Sequence, residues 1–140
     1  MVRGSSRIAP ESAIRSYRDL RVWGEGMDLA VACYRLTRSF PREVVYGMAS
    51  QIRRSATSIP ANIAEGYGRD GPGEFAQFLR IAQGSLKELE THLILSCRIS
   101  LTSEQQTAPI LQCCEDVGKM LRSLIRTVQA GKRTGASNRE

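Results

Sequence analysis

Apolar residues recur at intervals of three and four along most of the chain, a spacing typical of helices with one side turned to a core. The first run predicts a helix that begins near Asp19, a suitable N-terminal cap, and ends near Ser39. It ends there because the residue before Pro41 avoids the helical conformation. The expected core face of this helix consists of Leu20, Trp23, Met27, Ala30 and Tyr34.

The second run predicts a helix from about Val44 to Tyr67 with Pro60 inside it. An internal proline removes one backbone hydrogen bond and crowds the carbonyl four residues earlier, here that of Ala56. We therefore expect a kink in one helix rather than two separate helices. A glycine-rich segment after this run ends the helix. Its expected core face consists of Met48, Ile52, Ala56, Ile59 and Ile63.

Two further helices complete the pattern. The third is expected to begin around Pro72 to Glu74, because proline and an acidic residue both suit a helix start, and to continue to about Ser100. The fourth is expected to be capped by Ser103 or Thr102 and to end at Gly131. The apolar seam of the third consists of Phe75, Phe78, Leu79, Ala82, Leu86, Leu89 and Leu93. That of the fourth consists of Ile110, Leu111, Cys114, Val117, Leu121, Leu124 and Val128.

Four helices with short connections predict an all-α fold, an antiparallel up-down-up-down four-helix bundle. The bundle is expected to span residues 17–130. Residues 1–16 are expected to form a disordered basic N-terminal tail, and residues 131–140 a loose C-terminal tail, because both segments are polar and lack a sustained period.

The charge is concentrated at the two ends of the sequence. The net charge is +6, yet residues 19–130 hold 13 basic and 12 acidic side chains. We expect no signal peptide, because the first residues lack an apolar segment, and no membrane span, because no apolar run approaches the roughly 18 residues that one needs. We therefore expect a cytoplasmic protein with reduced cysteines and no membrane partner.

Residues suited to catalysis are sparse. His92 is the only histidine, and the four cysteines form no C-x-x-C pair, so neither a metal site nor a cofactor is expected. The glycines between residues 66 and 73 lack the following Gly-Lys-Ser/Thr of a phosphate-binding loop. The sequence thus predicts a protein that is not an enzyme, with no catalytic residues.

The faces that point away from the core suggest assembly. The third helix is apolar on two sides, which is typical of a helix at a subunit interface. The outer face of the second helix carries mostly small residues, which favour either a subunit contact or a plain solvent face. We therefore predict a homo-oligomer whose interface includes Arg54, Ser58, Ala61, Glu65, Ile81, Gly84, Leu95 and Ile99.

Basic residues also align along two helices. The third helix carries one stripe and the fourth another, and such stripes are typical of surfaces that contact a phosphate backbone. The alternative is a solvated, salt-bridged helix face. The candidate nucleic-acid-binding residues are Arg80, Lys87, Arg98, Lys119, Arg122 and Arg126.

Four segments of the chain, taken in order, resemble segments of a known protein family. The longest is QIRRSATSIPANIAEG at 51–66, followed by FLRIAQGSLKELE at 78–90, with YRDLRVW at 17–23 and the Phe40-Pro41 stop. They are similar to the bacterial 23S rRNA intervening-sequence proteins. The resemblance implies an antiparallel bundle, a ring-like homopentamer and no established catalytic activity. A related member, the accessory variability determinant of diversity-generating retroelements, implies binding to nucleic acid and to a partner reverse transcriptase through a basic outer surface.

Two functions follow as hypotheses. The first is a non-enzymatic oligomeric module that associates with structured RNA or DNA, or with a retroelement complex containing a reverse transcriptase. It predicts binding whose affinity falls with salt. The alternative is a protein–protein assembly scaffold that binds no nucleic acid and whose apolar outer faces hold subunits together.

Overall fold

The computed structural model describes residues 14–138, except the side chains of residues 44–46 and 132–138. This region is helical, without strands, as the sequence predicted. Its four α-helices are α1 (Arg21–Thr37), α2 (Ser50–Tyr67), α3 (Pro72–Arg98) and α4 (Glu104–Asn138). A 3-10 turn, Tyr17–Asp19, precedes α1, while a 3-10 turn, Arg42–Val44, and a π-helical segment, Val45–Ala49, lead into α2. None of these helices combines the length and apolar content needed to cross a membrane.

Each of the four helices packs against two others around one core. Helix α1 contacts α2 and α4, and α3 contacts the same two helices from the other side. Burying one large aliphatic side chain contributes about 1.5–3 kcal/mol, so a continuous core of such residues dominates the stability of the fold. The largest fully buried side chains include Leu29, Ile52, Ile59, Ile63, Leu79, Leu86, Leu89, Leu93, Val117 and Leu121.

The predicted core face of the first helix is wrong for two of its residues. Met27 and Tyr34 are 40% and 42% exposed, whereas Leu29 is fully buried. Helix α1 packs on α2 with Gly26 beside Pro60, where an added Cβ would lie at an ordinary contact distance of 3.6 Å. Val22, Leu29 and Leu36 face the core instead, so Met27 and Tyr34 lie on the outer side of α1. The buried residues of α1 are Val22, Gly26, Leu29, Ala30, Cys33, Leu36 and Thr37.

The start of α1 also differs from the prediction. Asp19 does not cap α1, whose N-cap is Leu20 without a side-chain hydrogen bond. Instead, Asp19 forms a capping box with Ser16 around the preceding 3-10 turn. The Asp19 carboxylate accepts hydrogen bonds from the backbone N–H groups of Arg15 (2.9 Å) and Ser16 (3.2 Å). Ser16, which the predicted tail includes, takes part in this capping box, and residues 1–13 of that tail lie outside the described residues.

Helix α2 passes through Pro60 without interruption, which confirms one helix rather than two. Side chains around the proline bond back to the backbone of the helix. The Ser55 and Thr57 hydroxyls donate to carbonyls four residues earlier at 2.8 and 2.9 Å, and the Asn62 amide donates to the Ser58 carbonyl at 2.8 Å. Such bonds compete with regular helix hydrogen bonding and often bend a helix. The kink at Pro60 stays a prediction.

Helix α4 begins as predicted and ends later than predicted. The Ser103 hydroxyl accepts from the Gln106 backbone N–H at 3.1 Å, while the Gln106 side chain accepts from the Ser103 backbone N–H at 3.1 Å. The prediction that Gly131 ends the helix is wrong, since α4 continues to Asn138. One glycine inside a helix costs only about 1 kcal/mol, which a long helix tolerates. Residues 139–140 lie outside the described residues.

Candidate assembly and nucleic-acid interfaces

Basic side chains from α3 and α4 surround one shallow groove. Arg80 and Lys87 of α3 and Arg122 of α4 line a cavity of about 370 Å³, together with Gly84 and Gly118. The sequence assigned Arg80 and Lys87 to one stripe and Arg122 to another. The packing of α3 on α4 brings these three of the six predicted basic residues together, and we call this surface the basic groove.

The charges in the basic groove are largely available. Within residues 14–131, neither Arg80 nor Arg122 takes part in an ion pair. Lys87 contacts the Glu90 carboxylate at 2.9 Å, but its side chain is 72% exposed. An exposed pair of this kind contributes at most about 1 kcal/mol, so Lys87 can exchange partners at low cost.

Two glycines keep the basic groove open. A Cβ added to Gly84 would meet no atom within 4 Å. A Cβ added to Gly118 would lie 3.3 Å from Leu86 Cδ2 and 3.5 Å from Arg122 Nη1. The Arg122 guanidinium therefore extends over the bare backbone of α4, where a ligand can reach both the guanidinium and the helix surface.

The other predicted basic residues lie apart from this groove. Arg98 lines a separate cleft near the α3–α4 connection, together with Glu104. Lys119 lies 3.9 Å from the Glu115 carboxylate one turn earlier. Arg126 is exposed on α4. These positions extend the positive surface without sharing the cavity.

The predicted interface on α3 is an exposed apolar surface in the single chain. Ile81, Leu95 and Ile99 are 46%, 43% and 53% exposed. At 100° per residue they lie within about 40° of one another around the helix, and we call them the α3 stripe. They lie on the side of α3 that turns toward α2, away from the basic groove. An apolar surface left open in this way is typical of an interaction site.

The remaining residues of the predicted interface make contacts within the chain. Arg54 donates to the Glu88 carboxylate of α3 at 2.8 Å, and the Ser58 hydroxyl hydrogen bonds with that of Ser85 at 2.8 Å. Glu65 pairs with Arg69 one turn later on the same surface. Ala61 is exposed, and Gly84 lies in the basic groove. Their role in assembly stays a prediction.

Sequence reasoning missed a second apolar surface, which lies between α1 and α2. This cavity of about 550 Å³ has a predominantly apolar lining, and we call it the α1–α2 groove. Val31, Met27 and Tyr34 are its most exposed side chains, at 43%, 40% and 42%. The signal was present in α1, which is apolar on two sides as α3 is. Its lining includes Trp23, Met27, Val31 and Tyr34 from α1 and Pro60, Ala61 and Ala64 from α2.

One end of the α1–α2 groove is positively charged. Arg35 and Arg38 line it near the C-terminus of α1. Arg53 lies over the Tyr34 ring, with its guanidinium carbon 4.9 Å from the ring centroid. The Arg53 Nε also donates to the Thr37 hydroxyl at 2.8 Å. The groove therefore combines largely apolar walls with a group of cations at the end near the C-terminus of α1.

The family of the chain follows from comparison with known proteins. The family model described as 23S rRNA-intervening sequence protein matches residues 18–123. The chain belongs to this 23S rRNA-intervening sequence protein family. A crystal structure of a protein with unknown function from the S23 ribosomal protein family of Bacteroides thetaiotaomicron resembles it with a TM-score of 0.67 and 29% identity, covering 74% of this chain and 97% of that one. No curated protein matches the chain.

The family match includes almost all the surfaces described above. The basic groove, the α3 stripe and the α1–α2 groove are formed by residues within 18–123, apart from Tyr17 at one end of the α1–α2 groove. Of the predicted basic residues, only Arg126 falls beyond the match. The motif at 51–66 forms most of α2, which contacts both α1 and α3. Its residues in this member of the 23S rRNA-intervening sequence protein family thus hold three helices together.

The core of this family member contains two fully buried thiols. Burial raises the pKa of Cys33 to about 12, and burial also raises the pKa of Cys114. Both thiols are therefore protonated at neutral pH and pack as small apolar groups. The Nε2 atom of His92 is buried without a hydrogen-bond partner. Within the described part of the chain, no group of three or more His, Cys, Asp and Glu side chains is arranged to hold a metal ion.

Proposed function

We propose that this protein is a non-enzymatic subunit of a homo-oligomer that binds nucleic acid through the basic groove. The nucleic acid is structured RNA, or the nucleic acid of a retroelement complex that contains a reverse transcriptase. The observation that carries the proposal is the grouping of Arg80, Lys87 and Arg122, from two helices, around one open cavity. The ring-like pentamer and the link to retroelements come from the family resemblance.

Pairs of contacts support an antiparallel bundle. From Arg54 to Ser58 to Gly66 the residue numbers rise along α2, while their partners on α3 fall. The same inverse order relates α1 to α2. The contacting pairs are Arg54 with Glu88, Ser58 with Ser85, Gly66 with Phe78, Thr37 with Arg53, and Gly26 with Pro60.

Phosphate is the ligand that the chemistry of the basic groove favours. Guanidinium groups form paired hydrogen bonds with phosphate oxygens, and a lysine adds a mobile point charge. Each phosphate that a cation neutralises releases condensed counterions, which drives binding and makes it dependent on salt. The groove presents no aromatic ring on which a base could stack, so recognition of the backbone fits better than recognition of sequence.

The test is the salt dependence of RNA binding by the full chain. In duplex binding, each lost phosphate contact lowers the slope of log affinity against log salt by about 0.9. Replacing Arg80 and Arg122 by Gln should therefore reduce the slope by about 2 and weaken binding. A matched control replaces Arg21 and Arg42, which are exposed and lie outside the basic groove. An equal loss in both double variants would show that net charge, and not the groove, carries binding.

The alternative is an assembly scaffold that binds no nucleic acid. The large apolar α1–α2 groove favours it, since that surface has no evident use in holding a phosphate backbone. The scaffold hypothesis predicts that the wild-type protein assembles. It also predicts that the protein has no salt-dependent affinity for RNA or for an RNA–DNA duplex. Binding that survives the loss of Arg80 and Arg122 without a change of slope would also exclude the basic groove.

A further inference from the structure

We infer that the α1–α2 groove of one subunit receives the α3 stripe of a second copy of this chain. The inference rests on the proposed assembly and names the two surfaces that meet. Because the two surfaces differ, the contact is head-to-tail, and repeating it closes a ring.

Both surfaces expose large apolar side chains in the single chain, and on α3 the exposed Arg54–Glu88 ion pair lies between Ile81 and Leu95. The groove exposes Met27, Val31 and Tyr34, and the stripe exposes Ile81, Leu95 and Ile99. These six are most of the large apolar side chains exposed within residues 14–131. Pairing the surfaces buries both sets at once, which is the main driving force for association of subunits.

The two surfaces also match in length and shape. At 1.5 Å per residue, the stripe from Ile81 to Ile99 spans about 27 Å, and the groove from Trp23 to Arg38 spans about 22 Å, so the groove covers most of the stripe. On the α2 side the groove is lined by small residues, Ala61 and Ala64. Small side chains let a neighbouring helix come close, so the branched residues of α3 can enter between α1 and α2.

Charge fits a parallel arrangement of the neighbour's α3 along α1. Rotation about an axis along the bundle keeps all copies pointing the same way, and in an antiparallel bundle α1 and α3 are parallel. The C-terminal end of the neighbour's α3, the negative end of its dipole, then meets Arg35 and Arg38. At the other end, the exposed Glu74 lies within about 20° of Ile81 around α3 and approaches the exposed Arg18.

The positions of the surfaces determine how the ring is organised. The groove lies on the α1–α2 side and the stripe on the α2 side of α3, so the two contact faces adjoin at α2. Adjacent faces of a four-helix bundle stand at a large angle to one another, so each contact turns the next subunit and a few subunits close a small ring. Helix α2 then faces the ring axis and α4 faces outward. The basic groove between α3 and α4 stays open.

Two single substitutions and their mixture test the inference. Val31→Asp damages the groove, and Leu95→Asp damages the stripe. Each should raise the concentration needed for assembly about 100-fold, because each buries an unpaired charge at the contact. Ile94→Asp is the matched control, since Ile94 is 44% exposed on the same helix but turns toward α4. It should assemble like the wild type.

Mixing the two damaged variants gives the sharpest outcome. The intact stripe of Val31→Asp can enter the intact groove of Leu95→Asp, and no second contact is possible. Sedimentation velocity at high micromolar concentration should therefore detect a heterodimer and no ring. If only one of the two substitutions prevents assembly, the contact is two-fold symmetric and the inference is overturned.

The controls separate this inference from the proposed assembly. A monomeric wild-type protein at micromolar concentration overturns the assembly and the inference together. A wild-type oligomer that survives both substitutions overturns the inference alone. Circular dichroism checks that each variant is folded, and Val31→Gln with Leu95→Gln repeats the test with neutral side chains if an aspartate variant unfolds.

Discussion

Gly66 is the position where the bundle tolerates a side chain least. An added Cβ would lie 2.5 Å from Phe78 Cβ and 3.1 Å from Phe75 Cδ1. Phe78 Cβ is bonded directly to the backbone, so no rotation of its side chain relieves the contact. No glycine in residues 14–138 has a positive φ, so the requirement at Gly66 is for space and not for an unusual backbone conformation.

The expected cost of Gly66→Ala is the balance of two opposing effects. Alanine favours a helix over glycine by about 1 kcal/mol. Forcing an extra methyl group into a packed contact costs about 1–3 kcal/mol, and the contact here is at the severe end because α2 and α3 must separate. We therefore expect a net loss of about 1–2 kcal/mol, equivalent to a fall in Tm of about 4–8 °C for a domain of this size.

Two other glycines provide matched controls for this substitution. A Cβ at Gly84 meets no atom within 4 Å, and one at Gly26 meets its neighbours at an ordinary 3.6 Å. Gly84→Ala should raise the free energy of unfolding by up to about 1 kcal/mol, and Gly26→Ala should change it little. Thermal and urea denaturation should be followed at one protein concentration, because assembly also stabilises the fold. Should Gly66→Ala prove as stable as Gly84→Ala, the close crossing of α2 and α3 is wrong.

Two further substitutions test the start of α4 and the core thiols. Ser103→Ala removes the cap shared with Gln106 and should lower the free energy of unfolding by about 1 kcal/mol, whereas an unchanged urea midpoint would argue against the cap. The folded protein keeps Cys33 and Cys114 protonated above pH 9.0, where the unfolded chain loses these protons. Stability should thus be unaffected below that pH and fall by up to about 1.4 kcal/mol per pH unit for each thiol above it. Cys33→Ala should make the fall shallower, and equal slopes for both proteins would contradict the assignment.

The sequence predicts the second and third helices of the chain well because the signals for them are local. Helix α3 begins at Pro72, as predicted, and its seam is buried from Leu79 to Leu93. The end of α2 at Tyr67 and the uninterrupted passage through Pro60 also follow from periodicity and breakers, whereas α2 begins at Ser50, later than the predicted Val44, because a π-helical segment, Val45–Ala49, precedes it. When one apolar period extends between two helix-breaking segments, few alternatives remain for which side of the helix faces the core.

The rotation of α1 could not be read in the same way. Both of its sides are apolar, so periodicity alone does not select the side that packs against the core. The choice is made by packing against the other helices, including the contact of Gly26 with Pro60 of α2. That contact joins residues far apart in sequence. Consequently Met27 and Tyr34 were assigned to the core, and the groove they line was missed.

The candidate site was predictable in part, for a similar reason. Helical wheels identify Arg80, Lys87 and Arg122 as outward basic residues. Their grouping depends on the rotation and register of α3 against α4, which is set where Leu86 packs beside Gly118. Neither property is encoded in the period of one helix. The separation of Arg98 from the groove depends on the same register.

The charge balance of the chain bears directly on how the proposed function could work. Residues 19–130 hold 13 basic and 12 acidic side chains, so a single subunit offers little long-range attraction to a polyanion. One groove with three cations can hold only a few phosphates, and at physiological salt such a contact is weak. Assembly through α1, α2 and the α2 side of α3 would leave every basic groove exposed and repeat it around the ring. Several weak contacts on one rigid frame bind a continuous backbone far more tightly than each does alone, because every contact after the first is intramolecular. In such a protein the apolar surfaces would determine affinity for nucleic acid as strongly as the arginines do.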